Sequence, residues 1–234
     1  MEIDTLNELY NSKLFSHQTD EFSIIEPAKG DNVKVRKATF ELHGAEFIVC
    51  SNEHPWNESV DLYQKENARH KYRFRRKCDG FAICDFNGQK YLIWIELKSS
   101  FGEIFSDAIY QISGCYVKMK SYLECFSNYN SPDYKEIGVV VCRPEQQKSD
   151  DDCNNDINLR QKSLSSREEL PTDIFRSEYR NTDRPNIFIL RGEIFGSSQM
   201  HLKNSIQLKS LPVYYYATDV DTPVIDLGTI LSNI

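Results

Sequence analysis

No apolar run in this 234-residue chain approaches the ~18–20 residues that a membrane-spanning helix needs. The opening residues, MEIDTLNELYNSKLF, carry acids early and contain no apolar stretch of the secretory kind, so a cytoplasmic protein without a leader is expected. Internal repeats and heptad arrays are absent. So are a glycine-rich phosphate loop, a G-x-S-x-G elbow and paired C-x₂-C spacing. These absences set aside membrane spans, coiled coils, P-loop nucleotide hydrolases, elbow-type serine hydrolases and zinc modules. Base is also in short supply: 28 Lys and Arg stand against 35 Asp and Glu, a net charge of −7. That argues against nonspecific coating of nucleic acid, but it leaves room for a local basic patch on an acidic body.

What is present is ordinary for a globular protein: 40 % hydrophobic and 27 % charged residues. A chain of this length can bury roughly 70–75 % of its unfolded surface and needs no staples. The seven cysteines, at 50, 78, 84, 115, 125, 142 and 153, are odd in number and irregular in spacing. They read as mostly buried thiols in a reducing compartment.

Hydrophobic spacing organises the chain. Ile3, Leu6, Leu9, Tyr10 and Leu14 predict an amphipathic helix over 3–15. Residues 33–42 and 45–50 are extended and flank His43-Gly44, which predicts a β-hairpin. Residues 56–69 look helical. KYRFRRKCDGFAIC (71–84) and KYLIWIELK (90–98) are strand-like, and Asn87-Gly88 between them is a strong hairpin signal. A stripe through Phe105, Ala108, Ile109, Ile112, Cys115, Tyr116, Met119, Leu123 and Phe126 predicts a long helix over 103–126. IGVVVC (137–142) reads as a buried strand, and NIFIL (186–190) and PVYYYA (212–217) as further strands. Strand alternation and core packing account for Tyr214-Tyr215-Tyr216 more simply than base stacking does. Residues 143–186 form a polar insertion with one short helix near 165–178, and the tail VIDLGTILSNI packs back on the body. The order predicts a single α/β domain over 1–234 with a mixed sheet: a core at about 55–142, then the insertion, then a C-terminal extension over 187–234.

Three residues stand out chemically. Glu96 and Lys98 are two apart on one strand, so their side chains leave the same face. Asp79 lies on the partner strand of the hairpin, where cross-strand geometry can bring its carboxylate beside Glu96. Two carboxylates converging at a sheet end suit Mg²⁺ or Mn²⁺, and a lysine beside them can orient or deprotonate a water. The plainer reading is an ion pair between Glu96 and Lys98 with Asp79-Gly80 as a bulge or turn. Just upstream, Arg69, Lys71, Arg73, Arg75, Arg76 and Lys77 place six positive charges in nine residues, with Tyr72 and Phe74 interleaved. In an unbroken strand Lys71, Arg73, Arg75 and Lys77 share a face with Asp79. Such a row suits phosphodiester contacts; it also suits an edge strand protected by charge.

Asp79-Gly-Phe-Ala-Ile-Cys, a hairpin, Ile95-Glu96-Leu97-Lys98-Ser99-Ser100 and a long helix together resemble the PD-(D/E)XK phosphodiesterase superfamily, which includes restriction endonucleases, Holliday-junction resolvases and RecB-like nucleases. The resemblance covers about 60–140. It implies a restriction-endonuclease-like α-β-β-β-α-β core with a mixed central sheet. It further implies Asp79 and Glu96 as metal ligands with the Leu97 carbonyl as a third, Lys98 as the motif lysine, and Gln111 as the helix glutamine of RecB-like members. Cys78 stands where the motif often has proline. Cys115 stands where RecB-like members carry tyrosine, and Tyr116 lies one further on. A glutamate from the first core helix is also common, and Glu8 and Glu58 are both candidates.

The expectation is therefore a Mg²⁺- or Mn²⁺-dependent nuclease acting on DNA, in a defence or restriction setting by analogy, with a protein partner or a homodimer as possible context. The competing class is a non-catalytic nucleic-acid-binding or assembly subunit that keeps the fold.

Overall fold

The computed structural model describes residues 15–26, 35–51, 78–99, 108–144, 186–191 and 202–232. Expectations for the helix at 56–69, the basic stretch 69–77, most of the insertion and most of the opening helix lie outside these residues.

The most legible part of the chain folds as its residues dictate. Strand β3 (Gly80–Phe86) turns at Asn87-Gly88 into β4 (Gln89–Lys98), pairing Phe86 with Gln89. Both turn residues have positive φ, +54° and +77°, as a two-residue type I′ turn requires. Helix α1 (Ile109–Leu123) follows, then β5 (Tyr134–Cys142) parallel to β4. The expected stripe is buried from Ala108 through Leu123, and Phe126 packs beside it just past the helix. The 103–107 part of the predicted helix lies outside the described residues.

The other strands widen this unit into one mixed sheet. These are β1 (Phe15–Ile25), β2 (Lys37–Ser51), β6 (Ile187–Arg191), β7 (Ser210–Ala217) and β8 (Val224–Asp226), which runs into a short helix α2 (Leu227–Ser232). The strand order is β1-β2-β3-β4-β5-β7-β6, with β8 parallel to the first half of β2. Strands β1 to β4 form an antiparallel meander; β4, β5 and β7 run parallel; β6 is antiparallel to β7. The protein is thus α/β with a mixed central sheet, and among the described residues no helix is long and apolar enough to cross a membrane.

Alternation along β4 divides the core. Leu92 and Trp94 face α1, where Trp94 packs between Phe81 and Tyr116 in tilted ring contacts at centroid distances of 5.5 and 4.8 Å. Ile93, Ile95 and Leu97 face the opposite cluster with Phe22, Ile24, Phe40, Phe47 and the α2 residues Ile230 and Leu231. Burial on both faces explains why this strand reads as a continuous apolar run. The tyrosine run alternates as expected: Tyr215 is buried on the α1 side, while Tyr214 and Tyr216 pack against the other cluster.

Two expectations are corrected. Phe15, expected at the end of the opening helix, begins strand β1. His43-Gly44 is not a hairpin turn but lies within the single strand β2, which runs antiparallel to β1. The register passes from Thr19 opposite Glu46 to Glu21 opposite Glu41. Asp20 alone therefore faces the stretch Leu42 to Ala45. The Asp20 carboxylate accepts the Gly44 N–H at 2.7 Å, which supplies the partner that the displaced backbone would otherwise lack.

Gly80 sits where two elements close on each other. A Cβ there would lie 2.3 Å from Ile24 Cδ1 and 2.7 Å from Cγ1. Ile24 is fully buried, so it cannot swing out to solvent. Gly80→Ala is expected to lower unfolding free energy by about 1–3 kcal/mol in urea titration, the usual range for overpacking. An unchanged midpoint would show that Ile24 repacks freely.

Candidate functional site

The end of β4 and the entry to β3 bring Asp79 and Glu96 together, as their cross-strand positions predict. Gly80 pairs with Ile95, so Asp79 falls opposite Glu96 at the sheet end. Both acids are buried, at 2 % and 0 % exposure. Each holds the other's strand: the Asp79 N–H donates to Glu96 Oε2 at 3.1 Å, and the Leu97 N–H donates to Asp79 Oδ2 at 2.8 Å. In an extended strand the N–H and C=O of one residue leave on the same edge. The Leu97 carbonyl therefore also faces the Asp79 side, while its side chain is buried in the opposite cluster.

Lys98 completes the β4 row. Its Nζ lies 2.5 Å from Glu96 Oε1, and its side chain is 10 % exposed. Glu96 Oε1 has this ammonium as its neighbour and makes no hydrogen bond besides.

A third acid joins them. Glu26, just past β1, offers a carboxylate oxygen that lies with those of Asp79 and Glu96 in a group spanning no more than 4.8 Å. The upstream glutamates that the sequence suggests, Glu8 and Glu58, both lie outside the described residues. A signal for Glu26 is nonetheless present in the chain. Phe22, Ile24 and Glu26 form an every-second-residue row, apolar and then acidic, just as Leu92, Trp94 and Glu96 do.

Three carboxylates and one ammonium, mostly out of water, do not ionise independently. Burial, with Glu26 nearby, pushes Asp79 up to about 7, against the Leu97 N–H and Lys98. Burial and the Asp79 charge push Glu96 well above the usual carboxylate range, and Lys98 only partly offsets this. For Lys98, burial works against the charged form, but the charges of Glu96, Asp79 and Glu26 outweigh it and hold the ammonium above the ordinary lysine value. Together the acids supply hard oxygen donors to a space short of positive charge. They fit a divalent cation such as Mg²⁺ or Mn²⁺, which Glu26, Asp79 and Glu96 would hold.

Gln111 lies on the first turn of α1 and is half-buried. Cys115, one turn further along that face, hydrogen-bonds Cys78, the residue before Asp79. The face of α1 that carries Gln111 is therefore packed toward the strand entry that holds Asp79. The basic residues Arg69, Lys71, Arg73, Arg75, Arg76 and Lys77 lie outside the described residues.

No protein-family model matches the chain, and neither a curated protein nor a solved structure matches it.

Proposed function

We propose that this protein is a metal-dependent nuclease of the PD-(D/E)XK type that hydrolyses phosphodiester bonds in DNA. The observation that carries the reading is the convergence of Glu26, Asp79 and Glu96 at one sheet end with Lys98 in contact with Glu96. Buried acids of this number are costly to a fold unless they serve a charged ligand. Chain order supports the same reading. Three antiparallel strands (β2, β3, β4), helix α1 and a parallel strand β5 follow one another as in a restriction-endonuclease-like core.

A divalent cation held by Glu26, Asp79 and Glu96 would supply charge neutralisation and Lewis-acid polarisation of the phosphate. The chain supplies the rest. The Glu96 carboxylate is fixed by the Asp79 N–H and the Asp79 carboxylate by the Leu97 N–H, so both need little rearrangement to serve as ligands. Lys98 extends its ammonium from the same face as Glu96; its proposed role is to orient the attacking water and face the phosphate oxygens. Gln111 is the proposed contribution of α1, and the 69–77 stretch is the proposed grip on the nucleic-acid backbone.

The test is cleavage of supercoiled plasmid and of single-stranded DNA and RNA with Mg²⁺ or Mn²⁺, beside Lys98→Ala. Metal-dependent cutting that is lost in the variant is expected. Absence of both cutting and metal binding would overturn the reading in favour of a binding or assembly subunit.

A further inference from the structure

At the carboxyl ends of the parallel strands, a second cation stands across the sheet from Lys98. Lys98 pairs with Cys142, the last residue of β5, and Arg143 follows immediately. Alternation separates the two side chains. Lys98 continues the Trp94–Glu96 row on the α1 side, whereas Arg143 continues the Val139–Val141 row on the opposite side. Glu26 reaches the acid cluster from that opposite side, continuing the Phe22–Ile24 row. The two cations therefore stand on opposite faces of this sheet end. Carboxyl ends of parallel strands are where open α/β sheets take their ligands.

Arg143 is built to hold a fixed position. Its side chain is 20 % exposed; Nη2 pairs with Asp221 Oδ1, and Nη1 donates to the Thr218 carbonyl at 3.4 Å. Behind it, Tyr215 donates its hydroxyl to the Arg143 carbonyl at 3.4 Å. The loop that holds Arg143 is tied back to the site. The Arg36 N–H donates to the Asp221 carbonyl, and the Glu26 N–H donates to the Arg36 carbonyl, each at 3.0 Å. A guanidinium carries five N–H donors in a rigid fork, more than these two contacts use. By sequence Arg143 belongs with the polar insertion; the structure makes it the last step of the central sheet.

We propose that Arg143 is a phosphate-contact residue that holds the DNA backbone beside the acid cluster, with Asp221 orienting it and competing with the phosphate. This rests on the nuclease reading for its substrate class. The alternative role, a surface tether for the 218–223 loop, would matter little to folding.

Fluorescence anisotropy with a labelled DNA duplex and the matching single strand separates the roles. It is run with Ca²⁺ across a salt series on wild type, Arg143→Ala, Arg143→Lys and Asp221→Ala. Arg143→Ala is expected to weaken binding about tenfold. It should also reduce the slope of log affinity against log salt by about 1, the mark of one lost phosphate contact. Arg143→Lys recovers part of the slope. Asp221→Ala frees the guanidinium and binds as tightly as wild type or tighter. A tether predicts that Arg143→Ala and Asp221→Ala behave alike with the salt slope unchanged, and that result overturns the proposal. Failure of wild type to bind DNA at low salt overturns it too. DNA binding that depends on Arg143 with neither metal-dependent cutting nor metal binding would sink the nuclease reading and leave the Arg143 contact standing.

Discussion

Glu96→Gln protein is expected to fold like wild type and to cleave DNA at least roughly 10²–10³-fold more slowly, the scale set by loss of one preorganised charge-stabilising group. The choice of glutamine follows from what Glu96 does in the fold. Its Oε2 accepts the Asp79 N–H, and that donor is buried with it. An alanine would leave the N–H without an acceptor, at about 1–3 kcal/mol, and open a cavity. Loss of activity would then be ambiguous. A glutamine carbonyl can accept the same hydrogen bond in the same volume, yet it brings no negative charge. Removing that charge leaves Lys98 facing two carboxylates instead of three, which relieves the repulsion that holds Glu96 well above its ordinary value. The change also ends the Lys98 contact with Oε1, because the amide nitrogen that takes one of the two oxygen positions cannot accept from an ammonium. The unfolding midpoint of the metal-free variant should therefore stay close to that of wild type while metal affinity falls. Calorimetric Mg²⁺ titration, urea unfolding and plasmid cleavage on one preparation check all three. Cleavage at the wild-type rate would remove Glu96 from the site, and with it the proposed chemistry.

The parts of the molecule that are legible in the sequence are those written in local contacts. Asn87-Gly88 admits a tight turn, and the apolar run into Glu96 is long enough to be a buried strand. Together they are enough to set Asp79 opposite Glu96, and the register of Gly80 with Ile95 agrees. The α1 stripe is likewise local. What the sequence hides depends on pairing at a distance. His43-Gly44 has the residues of a turn, but β2 continues through it because β1 offers a partner on both sides and Asp20 supplies the acceptor for Gly44. Strand β1 itself is hard to read because most of it is exposed and polar, with Phe15 buried at its start and only Phe22 and Ile24 marking a buried face near its end. Glu26 is hidden for the same reason. Its role depends on how Ile24 packs over Gly80, a contact between residues 56 positions apart that no window of sequence contains.

That packing places a third negative charge where two were already crowded, so the site works against the stability of the metal-free fold. The consequence is a pH profile of definite sign. An acid whose folded value is raised is protonated more readily folded than unfolded. Between the ordinary aspartate value of 3.8 and about 7, the native state therefore holds the extra proton. The Asp79 contribution to unfolding free energy then falls as pH rises through that window and levels above it. The loss from Asp79 alone is on the order of 4 kcal/mol, and the upward shift of Glu96 adds to it in the same direction. Lys98 does not oppose this, because a raised lysine loses its contribution only as pH climbs past its folded value, above 10.5. Glu124 and Asp226 do not oppose it either. A hydrogen bond from Lys203 holds Glu124 below its usual value, and one from Thr229 does so for Asp226, so both act at the acid end of the range. Mg²⁺ should reverse the loss. It binds the ionised acids of the folded state alone, and saturation to about 100 times Kd stabilises by about 2.7 kcal/mol. At pH 6 it must first displace the proton on Asp79; at pH 8 it need not. Urea unfolding from pH 5 to 8 is expected to show metal-free protein weakening as pH rises, a Mg²⁺-dependent gain that grows over the same interval, and a flattened profile in Asp79→Asn. Metal-free stability that climbs from pH 5 to 8, or a Mg²⁺ gain independent of pH, would mean that these acids do not share one charged site.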